Sequence, residues 1–283
     1  MWLYPFRCLK VVAKLPKLFG RVFFDLEQLT GRLSQLEAEV RDQPQFEFSF
    51  VQSAEPFLDR AEKNIGRTVA SMTEEERRKN FYSYFSEICD KDLRDQAILK
   101  QHEAYLKFIP QKHAASFLDI GCGAGEFVRF LNENGIEARG IEKDSGEVDR
   151  AVARGLKVQR GDALEFLRDS QETFRGISLI ELIEHIPFES ADLLIQRAIS
   201  RLAPNGVFIV ETINLRHPLA FNAFYTDPTH LRPVSPEYIA FLMQWGGLQD
   251  VRIVYTNPAW LPGVSRHDLT RIYFNFAVIG HRK

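Results

Sequence analysis

The sequence predicts a doubly wound, seven-stranded α/β sheet with an antiparallel last strand, preceded by an N-terminal helical extension. Three observations carry that reading. From Ser116 onward, short apolar runs alternate with helix-length amphipathic segments, the pattern of a parallel sheet with helices on both faces. The first run, Phe117 to Ile120, breaks into glycines at alternate positions, Gly121, Gly123 and Gly125, and an apolar-periodic segment follows. The last two runs are joined only by the Pro- and Gly-bearing stretch 257–268. With no helix-length crossover they must pair antiparallel, as a hairpin at a sheet edge.

The chain has 283 residues, 45% hydrophobic and 26% charged, which is an ordinary globular composition with room for one large or two modest domains. A net charge of -2 supplies no global field for nucleic acid, which makes such a partner unlikely. Three cysteines, Cys8, Cys89 and Cys122, show no metal-ligand spacing and would leave an odd thiol. That usage suits a reducing cytoplasm. Cys122, inside the glycine turn, reads as a small residue chosen for size.

In chain order, residues 1–24 carry Arg7, Lys10, Lys14, Lys17 and Arg21 with no acid, interleaved with aromatic and aliphatic residues. Such a segment suits a membrane interface, at the inner face of the membrane for a cytoplasmic protein. The competing reading is a leader packed against a protein partner, and Pro5 and Pro16 would break it into pieces. No run reaches the length of about 18 apolar residues that a spanning helix needs, and the segment lacks the apolar core and cleavage site of a signal peptide. Residues 25–40 place Leu26, Leu29, Leu33, Leu36 and Val40 at three- and four-residue steps. This is an amphipathic helix, and as a short coiled coil it would form a homo-oligomer. Residues 43–56 read as a linker. Thr73 followed by Glu76 is a capping box, strengthened by Glu74 and Glu75. That helix runs into Phe81 to Phe85, and another covers about 92–108.

The expected strands are 116–120, 137–142, 156–160, 177–182, 206–213, 250–256 and 271–281, with helices at 125–134, 145–154, 163–169, 189–202 and 235–246. The domain boundaries read as 1–45 (basic and helical N-terminal segment), 46–110 (helical extension or lid) and 111–283 (the sheet domain).

Ligands of such sheets bind beyond the carboxyl ends of the strands. Asp119 precedes the glycine turn, where a phosphate-binding loop would avoid negative charge. The second strand ends at Glu142, placed to grip a diol. The third leads into Asp162 and Ala163, a turn that can address an exocyclic amine and a ring edge. The fourth ends Glu181-Leu-Ile-Glu184-His185. Acids after successive strands suit a cationic or hydroxyl-rich ligand.

The combination of Leu118 to Gly125, Gly140-Ile-Glu142, Gly161-Asp-Ala163 and Leu202-Ala-Pro-Asn-Gly206 resembles the class I S-adenosylmethionine-dependent methyltransferases, over about residues 105–283. The resemblance implies a Rossmann-like sheet with S-adenosylmethionine as cofactor. It also implies that Gly121, Gly123 and Gly125 make room for the methionine moiety beside Asp119, Glu142 holds the ribose hydroxyls, Asp162 and Ala163 receive adenine, and Glu181 lines the same pocket. A dinucleotide dehydrogenase fits less well, because its fingerprint spaces glycines as G-x-G-x-x-G and the third here falls one residue early.

The stretch from Glu211 to Glu237 is polar, aromatic and Pro-rich, and long loops at strand ends usually carry function. Its Phe224-Tyr-x-Asp-Pro-Thr-His230-x-Arg-Pro run is similar to bacterial methyltransferases of surface-polysaccharide and lipopolysaccharide biosynthesis. That implies a carbohydrate or glycolipid acceptor methylated on a sugar hydroxyl. Glu181, Glu184 and His185, with His230, also resemble the metal set of plant-type small-RNA 2′-O-methyltransferases, which implies Mg2+ or Mn2+ on a vicinal diol. Without metal, His185 or His230 is the candidate general base, and His217 and Asp227 are weaker candidates. A metal-dependent RNA terminal 2′-O-methyltransferase and a non-catalytic cofactor-binding scaffold of a glycan assembly complex are the alternatives. The aromatic run Phe81, Tyr82, Tyr84 and Phe85 reads either as a lid over a sulfonium or as core packing.

Overall fold

The computed structural model describes residues 26, 28–35, 57–85, 87, 91–111, 114–259 and 269–283. The chain divides into two compact units, Met1–Glu55 and Pro56–Lys283. In the first, residues 28–35 are helical with Leu29 and Leu33 exposed. The expected membrane-interface segment 1–24 and the remaining leucine and valine positions of that helix, Leu36 and Val40, lie outside the described residues.

The second unit opens with four helices, α1 (Phe57–Ile65), α2 (Glu74–Lys79), α3 (Phe81–Phe85) and α4 (Lys91–Leu106). The Thr73 capping box forms: its hydroxyl accepts from Glu76 N and the Glu76 carboxylate accepts from Thr73 N. The sheet follows as β1 (Phe117–Ile120), α5 (Glu126–Glu133), β2 (Ala138–Glu142), α6 (Ser145–Ala153), β3 (Val158–Arg160), α7 (Ala163–Asp169) and β4 (Phe174–Ile180). It continues through α8 (Phe188–Ser200), β5 (Leu202–Ile213), α9 (Pro218–Thr226), α10 (Pro236–Trp245), β6 (Gln249–Pro258) and β7 (Tyr273–His281).

The strand order is β3-β2-β1-β4-β5-β7-β6. β1 to β5 are parallel, and β7 runs antiparallel between β5 and β6, with Val210 opposite Val278 and Ile253 opposite the same residue. The antiparallel ending is as expected. β7, the later strand of the hairpin, is the inner one, and β6 forms the edge.

Alternate strand residues feed two separate cores, as the two-residue period of a strand demands. Phe208, Val210, Phe276 and Val278 pack with Leu194, Ile195, Ile239 and Met243 of α8 and α10. Val207, Ile209, Ala277 and Ile279 pack with Tyr105, Phe127, Val128 and Leu131 of α4 and α5. Each fully buried Val, Ile or Phe contributes about 1.5–3 kcal/mol of transfer free energy.

Two elements differ from the expectation. β5 begins at Leu202 rather than 206, because Leu202 pairs with Phe174 before a register shift. The stretch expected as a Pro-rich loop folds its first part into α9, where Pro218 takes the first turn and His217 is the N-cap. Proline's fixed φ favours that position, and its missing N–H costs nothing there.

Candidate functional site

The strand order reverses between β1 and β4, and the predicted residues gather beyond the carboxyl ends of the strands on both sides of that point. On the β1–β2–β3 side, Gly121 has φ +68, and a Cβ there would lie 2.7 Å from Leu182 Cδ1. Gly123 has φ +52, and its Cβ direction is open, with only Glu126 and Glu147 oxygens at 3.9 and 4.0 Å. An open, backbone-walled hollow rimmed by carboxylates results. Gly125 is the N-cap of α5.

Glu142 is held by three backbone donors: Gly123 N at 2.9 Å on one oxygen, and Lys143 N and Asp144 N at 2.7 and 2.8 Å on the other. A carboxylate has about four acceptor sites, so capacity remains for a hydroxyl. Asp162 caps α7, accepting from Leu164 N and Glu165 N, with Lys143 Nζ 3.6 Å away. Ala163 begins that helix beside it. Asp119 is buried at the base of the turn and accepts from Ser178 Oγ at 2.5 Å. Burial pushes its carboxyl up to about 7. Burial likewise raises the Cys122 thiol, so it stays protonated and unreactive, and its size is what matters: a Cβ on Gly140 would strike its sulfur.

On the β4–β5 side, Glu184, His185 and His230 each offer a ligand atom, and these atoms lie within 4.8 Å of one another. Glu184 is fully buried, and neither carboxylate oxygen has a hydrogen-bond partner. Burial, then the neighbouring Glu181, raises its pKa well above the usual carboxylate range. His230 Nδ1 lies 2.7 Å from the Phe224 carbonyl, and His185 Nδ1 lies 3.2 Å from the Thr229 carbonyl and 3.0 Å from Thr229 Oγ1. The carbonyls require Nδ1–H on both rings, and His230 Nε2 lies 3.9 Å from Asp227 Oδ2. Burial, followed by the adjacent His230, lowers the His185 pKa and keeps that ring neutral.

Two predicted roles change. Glu181 stands outside the three-residue set: its backbone is left-handed, with φ 49, and its carboxylate accepts from Asn275 Nδ2. His217 is spent on structure, its Nδ1 accepting from Leu219 N and its Nε2 donating to the Ala259 carbonyl at 2.6 Å. Asp227 holds the set indirectly. It accepts from the Thr229 hydroxyl at 2.6 Å, and that hydroxyl oxygen faces His185. Of the aromatic run, Tyr82 alone reaches this site, its ring edge-on to His185 at 6.0 Å.

Several site residues had no signal in the sequence. Glu211 is buried under the site and accepts from Tyr105 Oη at 2.7 Å. Ser83 Oγ donates to Asp144 at 2.7 Å, and buried Glu87 pairs with Arg150 at 2.9 Å, so the helical extension is tied to the donor side. The sequence marked Glu211 only as the start of a polar stretch, and the sheet-unit partners of Ser83 and Glu87, Asp144 and Arg150, are more than 60 residues away in sequence.

A family model described as a methyltransferase domain matches residues 90–253. The chain belongs to that family. A crystal structure of a SAM-dependent methyltransferase from Archaeoglobus fulgidus superposes with a TM-score of 0.59 at 25% identity, covering 66% of this chain and 94% of that one. A SAM-dependent methyltransferase from Thermotoga maritima, at 18% identity and TM-score 0.54, covers 74% and 97% and shares the fold. In sequence, the chain is 32% identical over 102 residues to a ubiquinone biosynthesis O-methyltransferase of Azorhizobium caulinodans, covering 34% of this chain and 40% of that protein. It is 33% identical over 113 residues to the Pseudomonas paraeruginosa protein of the same name, covering 37% and 46%. The chain therefore spans less than half the length of either relative. The methyltransferase fold and family are thus shown for the sheet unit.

Proposed function

We propose that the protein transfers the methyl group of S-adenosylmethionine to a hydroxyl oxygen of a sugar in a surface glycan or its precursor. The observation that carries the reading is the cluster of Glu184, His185 and His230 beside the donor hollow. A sugar hydroxyl must lose its proton as the methyl transfers, and an imidazole of this pair can accept it. Glu142 and Asp162 orient the donor, Asp227 and Thr229 fix the tautomer of His185, and the buried surroundings exclude water.

The donor set also fits a divalent cation. An orphaned, fully buried carboxylate and two imidazoles whose Nδ1–H groups are held by carbonyls form the usual outer-shell pattern of ligating histidines. Imidazole suits Mn2+ better than Mg2+. A cation bound there would lower the acceptor hydroxyl's pKa and orient a vicinal diol.

The test is transfer of labelled methyl from S-adenosylmethionine into extracted glycan precursors, read as alkali-stable ether label. Label appearing only in RNA, or only in phenolic quinone precursors, would overturn the sugar assignment. The latter acceptor is the second reading, favoured by the names of the relatives. Activity that survives chelator would overturn the cation.

A further inference from the structure

The helical extension forms a half-open cavity of about 410 Å3, walled by Ala61, Met72, Phe81, Tyr84 and Phe85. That volume lies in the range of about 300–1,000 Å3 typical of small-molecule pockets. The wall offers a water molecule few of the two to four polar partners it needs, so an apolar occupant fits. Arg77 stands at the rim with an exposed side chain. Its guanidinium makes no ion pair or side-chain hydrogen bond among the described residues. An apolar chamber with a free cation at its mouth is complementary to a chain that ends in an anion.

We infer that this cavity is a binding site for the alkyl chain of an anionic, phosphate-headed amphiphile, with the head on Arg77. The site would communicate with the methyl-transfer centre through α3. Phe81, Tyr84 and Phe85 face the cavity. Between them, Ser83 donates to Asp144, the N-cap of α6, and Tyr82 meets His185. A chain in the cavity holds α3 in place and with it both sides of the catalytic site. Occupancy and donor binding should therefore strengthen each other. The inference does not depend on the identity of the methyl acceptor.

Calorimetry of the full-length protein with dodecyl phosphate, below its micelle concentration, tests this, with inorganic phosphate as the head-only control. Expected is saturable binding of one dodecyl phosphate, none of inorganic phosphate at the same concentration, and an affinity for S-adenosylhomocysteine raised about fivefold by the amphiphile. Arg77→Glu should weaken the amphiphile about tenfold, the loss of a charge-assisted contact. Ala61→Phe should abolish its binding while S-adenosylhomocysteine still binds, and Phe81→Glu, at a half-exposed position, serves if Ala61→Phe does not fold.

Dodecyl phosphate binding no tighter than inorganic phosphate, or unchanged in Arg77→Glu and the filled cavity, overturns the site. Retained S-adenosylhomocysteine binding in that case leaves the proposed function standing. Phosphatidylglycerol vesicles that displace dodecyl phosphate from the wild type, while phosphatidylcholine vesicles do not, identify a bilayer lipid as the chain's source. Failure to displace identifies an individual amphiphilic molecule, and either result supports the site.

Discussion

Asp119 shows how much a single buried acid controls at the donor turn. Burial raises its carboxyl to about 7 against the opposing bond from Ser178, and burial likewise raises Glu147 to about 6. A carboxyl whose folded pKa is raised favours the folded state most below the unfolded value of about 4, and that contribution is lost as pH rises through the folded pKa. The melting temperature of the ligand-free protein should therefore fall between about pH 4 and 7, and less so in Asp119→Asn, as differential scanning fluorimetry would show. The cationic cofactor should respond in the opposite sense, its affinity rising as pH passes about 7 and Asp119 ionises, with a flat profile in Asp119→Asn. Glu142→Ala should weaken S-adenosylmethionine at least tenfold in calorimetry, at about 1.4 kcal/mol per factor of ten. Unchanged affinity would remove Glu142 from the donor site. His230→Ala should lower turnover while leaving cofactor affinity intact, because His230 lies on the β4–β5 side of the switch point, across from Glu142 and Asp162.

At the scale of elements, the glycine turn joins β1 to α5 only because Gly121 tolerates φ +68 with Leu182 packed against it. Gly121→Ala should destabilise by about 1–3 kcal/mol of backbone strain, plus whatever Leu182 must yield, readable as a lowered denaturation midpoint. Tyr105→Phe should cost about 1–3 kcal/mol by removing a hydrogen bond from buried Glu211, and α4 would lose its polar tie to β5. The β-α alternation was legible, element by element, because strands buried on both faces and helices buried on one leave different periods in the sequence. α9 was not, since Pro218 and the polar neighbours of its run look like a loop until His217 is seen capping a helix. Of the site, Asp119, Glu142 and Asp162 could be read as acids that end consecutive strands. The hydrogen bond from Asn275 to the Glu181 carboxylate could not, because the two residues are 94 apart in sequence.

For the whole molecule, the compact unit Pro56–Lys283 holds the sheet, the donor hollow and the Glu184–His185–His230 cluster together. A chain lacking residues 1–24 should thus keep its cofactor affinity, and flotation on anionic liposomes should be lost if that basic, aromatic segment lies in the interface. Flotation undiminished by the truncation would remove the membrane role. No helix among the described residues is long and apolar enough to cross a membrane. The sequence by itself determined the methyltransferase sheet, its antiparallel ending and the acids that close its strands, because hydrophobic periodicity and turn glycines are local properties of a chain. Only the tertiary structure decided that His185 and His230, 45 residues apart in sequence, meet at a tilt with ring centroids 4.6 Å apart. It also decided that Glu184 is buried without a partner and that one face of α3 turns to the site and the other to an apolar cavity. Those facts depend on where distant elements pack, and side-chain spacing along a chain carries no record of that.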